Sequence, residues 1–182
     1  MKLSYRILVV CSLVQASLFA QPDTDSLWRV WNNTGLQDTV RLSAIHQLAF
    51  QLIKHNPDSA RILAQAQLAF ARETGSLKWE AGALSNLGLA YRLQSDFAKA
   101  IRAYEQSLAV LEKSGDRNDL SAVYSKMGDV YRLQSNFPKA IDCITKSLSL
   151  AEETGDRKKV ADGYISIATI YYDDSDNNSK TL

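Results

Sequence analysis

Apolar side chains recur along much of this chain at the spacing of an α-helix. Leu84, Leu87, Gly88 and Tyr91 fall at positions i, i+3, i+4 and i+7, which lie on one face of a helix. A second stripe follows a short polar break and comprises Phe97, Ala100, Ile101, Tyr104, Leu108 and Leu111. This pattern predicts two antiparallel helices joined by a polar turn at Ser95-Asp96.

The predicted helix pair recurs with a period of 40 residues. Between residues 76–115 and 116–155, 15 of 40 positions are identical, and Gly75, Gly115 and Gly155 are spaced at the same interval. A glycine at such a position ends a helix at low cost, because it adopts left-handed backbone angles easily. One helical hairpin cannot bury its apolar stripe, whereas a row of hairpins can. The repeat therefore predicts an all-α fold of stacked helix pairs.

The conserved spacing within each pair resembles the tetratricopeptide repeat, whose pattern is Trp-x2-Leu-Gly-x2-Tyr followed by Ala-x3-Phe. The matching residues are Leu84-x2-Leu87-Gly88-x2-Tyr91 with Ala100-x3-Tyr104, Tyr124-x2-Met127-Gly128-x2-Tyr131 with Ala140-x3-Ile144, and Tyr164-x2-Ile167-Ala168-x2-Tyr171. The period of 40 residues is longer than the family's 34, which is typical of a subtype with longer helices. The resemblance implies an α-α superhelix that binds a protein or peptide and has no catalytic activity.

The repeat divides the chain into six segments. We expect a signal peptide at 1–20, a lead-in helix at 21–36, a divergent helix pair at 37–75, two repeats at 76–115 and 116–155, and a truncated repeat at 156–182. The last repeat lacks the second helix, because Asn177 stands where Phe97 begins it in the earlier copy. We therefore expect a mobile tail from about Asp173 and partial exposure of Ile167 and Ile170. Such an end indicates either a shortened gene product or self-association through the uncapped end.

The first residues have the order of a secretory signal. Lys2 and Arg6 precede an apolar run at 7–14, and a small-residue zone follows before the polar stretch that starts at Gln21. Cleavage is expected after Ala20, or alternatively after Ala16. The apolar run is shorter than the roughly 20 residues that span a bilayer, so we expect an exported protein without a membrane span in its mature form.

The amino-acid composition further limits the functions that this chain could have. Lys and Arg total 21 and Asp and Glu total 20, and this balance argues against a nucleic-acid partner. Cys143 is the one cysteine outside the leader, and it occupies a helix position suited to a buried small residue. His46 and His55 are nine residues apart, which would place them on opposite sides of a helix. We find no pattern for a metal, a cofactor or a catalytic centre.

The resemblance implies that the first helix of each repeat lines an inner groove. The residues that map there are Ser85, Asn86, Leu89, Arg92, Leu93, Ser125, Asp129, Arg132, Leu133, Ile165, Thr169 and Tyr172. Arg92 and Arg132 hold equivalent positions, so stacking would place them on the order of 10 Å apart. One hypothesis is that both grip a carboxylate on a peptide. The alternative is that both are solvated or paired locally, with Arg132 bonded to Asp129 one turn earlier.

A second resemblance concerns the N-terminal third of the chain. The stretch Asp25-Ser26-Leu27-Trp28-x2-Trp31 and the later Asn56-Pro57-Asp58-Ser59-Ala60 are similar to the opening of exported bacterial sensor proteins. In those proteins the repeats precede a transmembrane helix and a cytoplasmic nucleotide cyclase or histidine kinase. The sequence thus predicts an exported interaction scaffold, or alternatively a sensor region without its catalytic domain.

Overall fold

The computed structural model describes the backbone of residues 22–180 and the side-chain environment of residues 24–175. Within this range the chain forms eight α-helices: α1 Pro22–Asn32, α2 Asp38–Leu52, α3 Pro57–Glu73, α4 Leu77–Leu93, α5 Phe97–Ser114, α6 Arg117–Leu133, α7 Phe137–Thr154 and α8 Arg157–Lys180. The described residues contain no strand, which confirms the all-α prediction. The predicted signal peptide at 1–20 lies outside the described residues.

The helix ends follow from the residues that the repeat places there. Gly115 and Gly155 follow α5 and α7 with φ angles of 73° and 70°, values that glycine adopts without steric penalty. The carboxylate of Asp116 accepts a hydrogen bond from the backbone N–H of Asp119 at 3.0 Å and so caps α6. Pro138 lies in the first turn of α7, where its missing N–H costs nothing.

The contacts divide the chain into two compact units, unit 1 ending at Gln94 and unit 2 beginning at Ser95. Unit 1 contains α1 to α4, and its interior holds fully buried side chains from α2 and α3, including Leu42, Ile45, Leu48 and Leu63. Successive helices pack against each other, and α2 also contacts α4. First helices of neighbouring repeats therefore lie side by side in unit 1.

The lead-in helix α1 is held to unit 1 by aromatic contacts. Trp31 is buried, and its ring meets Phe70 of α3 edge-on with 5.5 Å between centroids. The guanidinium of Arg41 lies 4.5 Å from the Phe70 ring centroid, and its Nε donates to the backbone oxygen of Trp31 at 3.1 Å. A cation between two aromatic rings links α1 to both following helices.

In unit 2, α6 and α7 approach closely through small residues. A Cβ added at Gly128 would lie 2.6 Å from Cδ1 of Ile144 and 3.3 Å from the backbone oxygen of Ala140. At the other end of the same contact, Ser121 and Ser147 each donate a hydroxyl hydrogen bond to the other's backbone oxygen, at 2.9 and 2.8 Å. The absence of a side chain at Gly128 therefore permits the close approach of α6 and α7.

The C-terminal helix differs from the expectation in two respects. The helix α8 continues through Ser175 to Lys180, whereas the equivalent Ser95 and Ser135 have φ angles of 60° and 55° and interrupt the helix. We attribute this to Asn177, because no aromatic residue stands there to anchor a returning helix. Ile170 is only 1% exposed because it packs against α7, so its predicted exposure was wrong.

We expect Gly128→Leu to destabilise unit 2 by about 1–3 kcal/mol, because the new side chain overlaps Ile144 in a filled space. The measurement is the urea midpoint followed by circular dichroism. Ala98→Leu is the matched control, since Ala98 is exposed on α5. Equal midpoints for the two variants would show that α6 and α7 are not closely packed at this position.

Candidate functional site

The five predicted groove residues in unit 1 differ in their exposure to solvent. Ser85 and Asn86 are 6% and 3% exposed, so they lie inside the unit. Leu89 and Arg92 are half-buried, and Leu93 is exposed. The accessible surface that the sequence predicted for α4 is therefore concentrated in its last turn.

Asn86 is part of a polar cluster that sequence reasoning did not identify. The side-chain amide nitrogens of Asn86 and Gln67 each lie 3.2 Å from Nδ1 of His46. The Gln67 amide also donates to the backbone oxygen of Trp79 at 3.1 Å. Since both amides donate to Nδ1, the imidazole proton is assigned to Nε2. This cluster joins α2, α3 and α4, and the 40-residue separation of His46 and Asn86 was a signal for it.

In unit 2, Arg132 binds a carboxylate that the sequence analysis did not consider. Its Nη1 donates to Oδ2 of Asp173 at 2.7 Å, which links α6 to α8. Asp173 therefore gives Arg132 a carboxylate partner from another helix, while the expected pairing of Arg132 with Asp129 stays a prediction. Ser125 and Asp129 are half-buried, while Leu133 is exposed.

The repeat relates these residues by position. Arg92 and Arg132 are equivalent to Tyr172, and Leu93 and Leu133 are equivalent to Asp173. Two successive repeats thus end their first helix with a half-buried arginine followed by an exposed leucine, at 41% and 44% exposure. In the third repeat the pair becomes Tyr172-Asp173, and the carboxylate pairs with the arginine of the repeat before it.

The two arginines differ in their partners. Among residues 24–175, whose side chains the structure describes, no hydrogen bond or ion pair involves the guanidinium of Arg92, whereas that of Arg132 is bonded to Asp173. Arg92 belongs to unit 1 and Arg132 to unit 2, so their predicted separation stays a prediction. On α8, the remaining predicted residues Ile165, Thr169 and Tyr172 are exposed.

Lys126 is a further charged group on α6 that the sequence analysis omitted. It holds the repeat position of Asn86 and is half-buried. Burial lowers the pKa of the Lys126 ammonium, and the negative charge of Asp119 two turns earlier opposes part of that change. A partly desolvated ammonium is costly to the folded state.

Cys143 has the environment of a packing residue. It is buried and forms no disulfide, which confirms the prediction of a buried small residue. Burial raises the pKa of its thiol to about 11, and the charge of Asp142 adds to the rise. Among the described residues, no group of three or more His, Cys, Asp or Glu side chains could hold a metal ion.

Two family models match the chain, and both are described as tetratricopeptide repeat. One covers residues 41–113 and the other residues 123–158, which together make up more than half of the chain. Neither model describes a catalytic family. No protein with a curated description matches the sequence. Between residues 22 and 180, no helix is both long enough and apolar enough to cross a bilayer.

Three solved structures illustrate the fold. BtubC (BKLC) from P. vanneervenii has a TM-score of 0.69 at 16% identity, with 85% of this chain and 64% of that chain covered. Aspartyl phosphate phosphatase F from Bacillus subtilis has a TM-score of 0.73 at 16% identity, with 81% of this chain and 39% of that chain covered. The third is a Signal Transduction ATPase with Numerous Domains from Pyrococcus horikoshii, which is described as having a tetratricopeptide repeat sensor. Its TM-score is 0.60 at 13% identity, with 91% of this chain and 32% of that chain covered.

The chain spans less than two thirds of the length of each of these three structures. At such identities the similarity shows the fold alone.

We expect the native Cys143 thiol to react slowly with a thiol-specific reagent at pH 8. A pKa near 11 in place of 9 leaves about 100-fold less thiolate, and burial limits access further. Absorbance of the released chromophore, measured with and without urea, gives the two rates. Equal rates in the native and unfolded protein would contradict the buried environment.

We expect Lys126→Met to raise the free energy of unfolding at pH 7. The unfolded state holds the Lys126 proton more tightly than the folded state, so wild-type stability rises with pH up to the ordinary value of 10.5. The difference between variant and wild type should therefore shrink from pH 7 to pH 10 in urea titrations. The control is Lys113→Met, because Lys113 is exposed on α5. A pH-independent difference would show that desolvation of the ammonium is not the cause.

Proposed function

Because the chain belongs to the tetratricopeptide repeat family, we propose that it is an exported, non-catalytic scaffold that binds a protein or peptide along the first helices of its repeats. Proteins of this family bind protein partners, and the described residues offer no catalytic constellation that would favour an enzyme. In unit 1 the accessible groups are the half-buried Arg92 and the exposed Leu93 at the end of α4. In unit 2 they are Arg132 and Leu133 at the end of α6, with Thr169 and Tyr172 on α8.

The contact of Arg132 with Asp173 is the observation that carries this proposal. It places a carboxylate on the guanidinium of Arg132 at 2.7 Å, on the face where a ligand would lie. Because Arg92 has the same repeat position and no carboxylate partner among the side chains of residues 24–175, it would take its carboxylate from the ligand. The adjacent Leu93 and Leu133 would contact an apolar side chain next to that carboxylate. The ligand we propose is a peptide segment that combines an acidic group with a neighbouring apolar residue.

Export is part of the proposal and rests on the order of residues at the N-terminus. The basic residues Lys2 and Arg6, the apolar run at 7–14 and the small residue Ala20 together support removal of a leader. N-terminal sequencing of the protein recovered from the cell envelope or medium would identify the cut after Ala20 or Ala16. Recovery only from the cytoplasm with an intact Met1 would contradict export.

A second candidate function is the sensor region of a longer signalling protein. The Trp28 and Trp31 pattern supports it, and a structurally similar ATPase is described as carrying a repeat sensor. The two candidates differ in the mass of the native product. An antibody against this chain would detect about 20.2 kDa or slightly less for the scaffold, and a much larger product for a signalling protein.

We also propose that the C-terminal end of unit 2 self-associates. This rests on the exposed apolar side chains of α8, four of which are more than half exposed: Tyr164, Ile165, Tyr171 and Tyr172. An exposed apolar patch of this kind usually marks an interaction surface.

The arginine hypothesis is tested by capture from an envelope fraction with immobilised protein. We expect Arg92→Ala combined with Arg132→Ala to lower partner affinity on the order of 10-fold or more, as expected for loss of charge-assisted hydrogen bonds. Arg102→Ala is the control, because Arg102 is an exposed arginine on the second helix of its repeat.

Asp173→Asn provides an independent arm of the same test. It neutralises the internal competitor for Arg132, so partner affinity should rise. Unchanged affinity in both the double-alanine variant and Asp173→Asn would remove the arginines from the binding site.

A further inference from the structure

One side of α2 in unit 1 carries accessible apolar residues. Val40, Ser43, Gln47 and Phe50 recur at i, i+3, i+7 and i+10, a spacing that keeps them on one face of the helix. Val40 and Phe50 are 44% and 56% exposed, and Gln47 between them is exposed as well. These four residues, with Lys54 in the turn that follows the helix, are called the α2 face below.

A cleft between α1 and α2 lies at the start of the α2 face. Its volume is about 340 Å³, and its apolar lining comes from Leu27 and Val30 of α1 and from Val40 and Ala44 of α2. This volume is at the lower end of the roughly 300–1,000 Å³ that ligand pockets have. A cleft with this size and lining suits a large apolar side chain.

The other end of the α2 face is positively charged. Lys54 is exposed, and no hydrogen bond or ion pair involves its ammonium within residues 24–175, the part of the chain whose side chains are described. The amide of Gln94 donates to Oδ1 of Asp58 at 2.8 Å, which holds the start of α3 beside the end of α4. Lys54 immediately precedes α3, and Arg92 is in the last turn of α4, so both cations lie at the same end of unit 1.

The charge on the α2 face determines the chemistry of a complementary partner. Near the cleft, the carboxylate of Asp38 is already paired with the guanidinium of Arg41 at 3.6 Å. The unpaired ammonium of Lys54 at the opposite end would gain a charge-assisted hydrogen bond from a carboxylate. A partner that complements both ends therefore combines an apolar side chain with an acidic group.

The length of the α2 face determines how far apart these two groups lie. Fourteen residues separate Val40 from Lys54, which corresponds to about 21 Å along a helix. An extended peptide covers that distance with about six residues. Phe50 lies about 6 Å before Lys54 along the helix, within reach of a peptide side chain two residues from the acidic group.

We propose that the α2 face binds an extended peptide that places one apolar side chain in the cleft, a second against Phe50 and a carboxylate at Lys54. This inference rests on the proposed function and extends its site from the end of α4 to α2 and α1. A neighbouring acidic residue of the same peptide would contact Arg92. The ligand is thus an acidic segment with apolar residues about two and six positions from its carboxylates.

Fluorescence anisotropy of labelled peptides with the purified full chain tests the proposal. The probes are Leu-Ser-Asn-Ser-Leu-Ser-Glu-Glu and the same sequence reversed, which together cover both chain directions. We expect one of them to bind with a dissociation constant on the order of 10–100 μM. The spacing control is Leu-Leu-Glu-Glu-Ser-Asn-Ser-Ser, which has the same composition and should bind at least ~5-fold more weakly, because it cannot reach the cleft and Lys54 together.

Variants of the chain test the two ends of the contact. Lys54→Glu should weaken binding at least ~10-fold, and a probe with lysines in place of its two glutamates should regain affinity for that variant. Phe50→Ala should also weaken binding ~10-fold, as expected for an aromatic contact within an interface. Lys113→Glu and Leu77→Ala are the controls, because both residues are exposed outside the α2 face. Circular dichroism establishes that every variant remains folded.

Several outcomes would overturn the proposal. One is that neither probe binds, and another is that Lys54→Glu and Phe50→Ala bind the probe like the wild type. Binding that appears only after removal of residues 1–20 would identify that segment as the occupant of the face. A dimer in sedimentation velocity that Phe50→Ala dissociates would identify a second copy, which would equally overturn the peptide assignment.

The extension and the proposed function can fail separately. If Lys54→Glu captures its envelope partner like the wild type while the double variant Arg92→Ala with Arg132→Ala does not, the arginine site stands and the α2 face is removed from it. If probe binding requires Lys54 and Phe50 while capture is unchanged in the double-alanine variant, the α2 face stands without the arginines.

Discussion

Every helix in this protein has an apolar face that only a neighbouring helix can cover, and the rest of the structure depends on that requirement. A 17- or 18-residue helix cannot bury such a face alone, so each hairpin is stable only as part of a row. In unit 2, α6 and α7 approach closely where small residues stand, at Gly128 and at the paired Ser121 and Ser147. Each of these two helices therefore restricts the position of the other.

The need to cover the apolar face of each helix also distinguishes residues that pack inside the protein from residues that remain accessible to a partner. First helices contribute one side to the internal packing and leave other residues accessible, among them Arg92 and Leu93 in unit 1 and the equivalent Arg132 and Leu133 in unit 2. The ion pair to Asp173 shows that the arginine at this repeat position can hold a carboxylate. A ligand carboxylate that binds Arg132 would replace Asp173 as the partner of its guanidinium.

Much of the fold could be predicted because its signals are local. Helix period, terminal glycines and capping residues such as Asp116 depend on neighbours a few residues away, and they led directly to the helices and their ends. The candidate site was predicted less completely. The sequence placed Asn86 in a groove, but its amide donates to His46 inside unit 1. Arg132 has a partner on α8 that the sequence did not predict. Those partners are separated by 40 and 41 residues, so only the repeat period, and not a local pattern, could have related them.

The amino-acid sequence by itself determined that this chain forms repeated helix pairs. The helical period of the apolar residues, with small residues at fixed intervals, requires that neighbouring helices pack together to bury the apolar side chains. Tertiary structure alone decided which accessible groups remain for a partner. Ser85 and Asn86 are buried inside unit 1, and Arg132 forms an ion pair with Asp173. Ile170 is buried against α7, whereas the next residue, Tyr171, is exposed. The physical reason is that periodicity specifies which side of a helix is apolar, whereas burial depends on which other helix arrives to cover it.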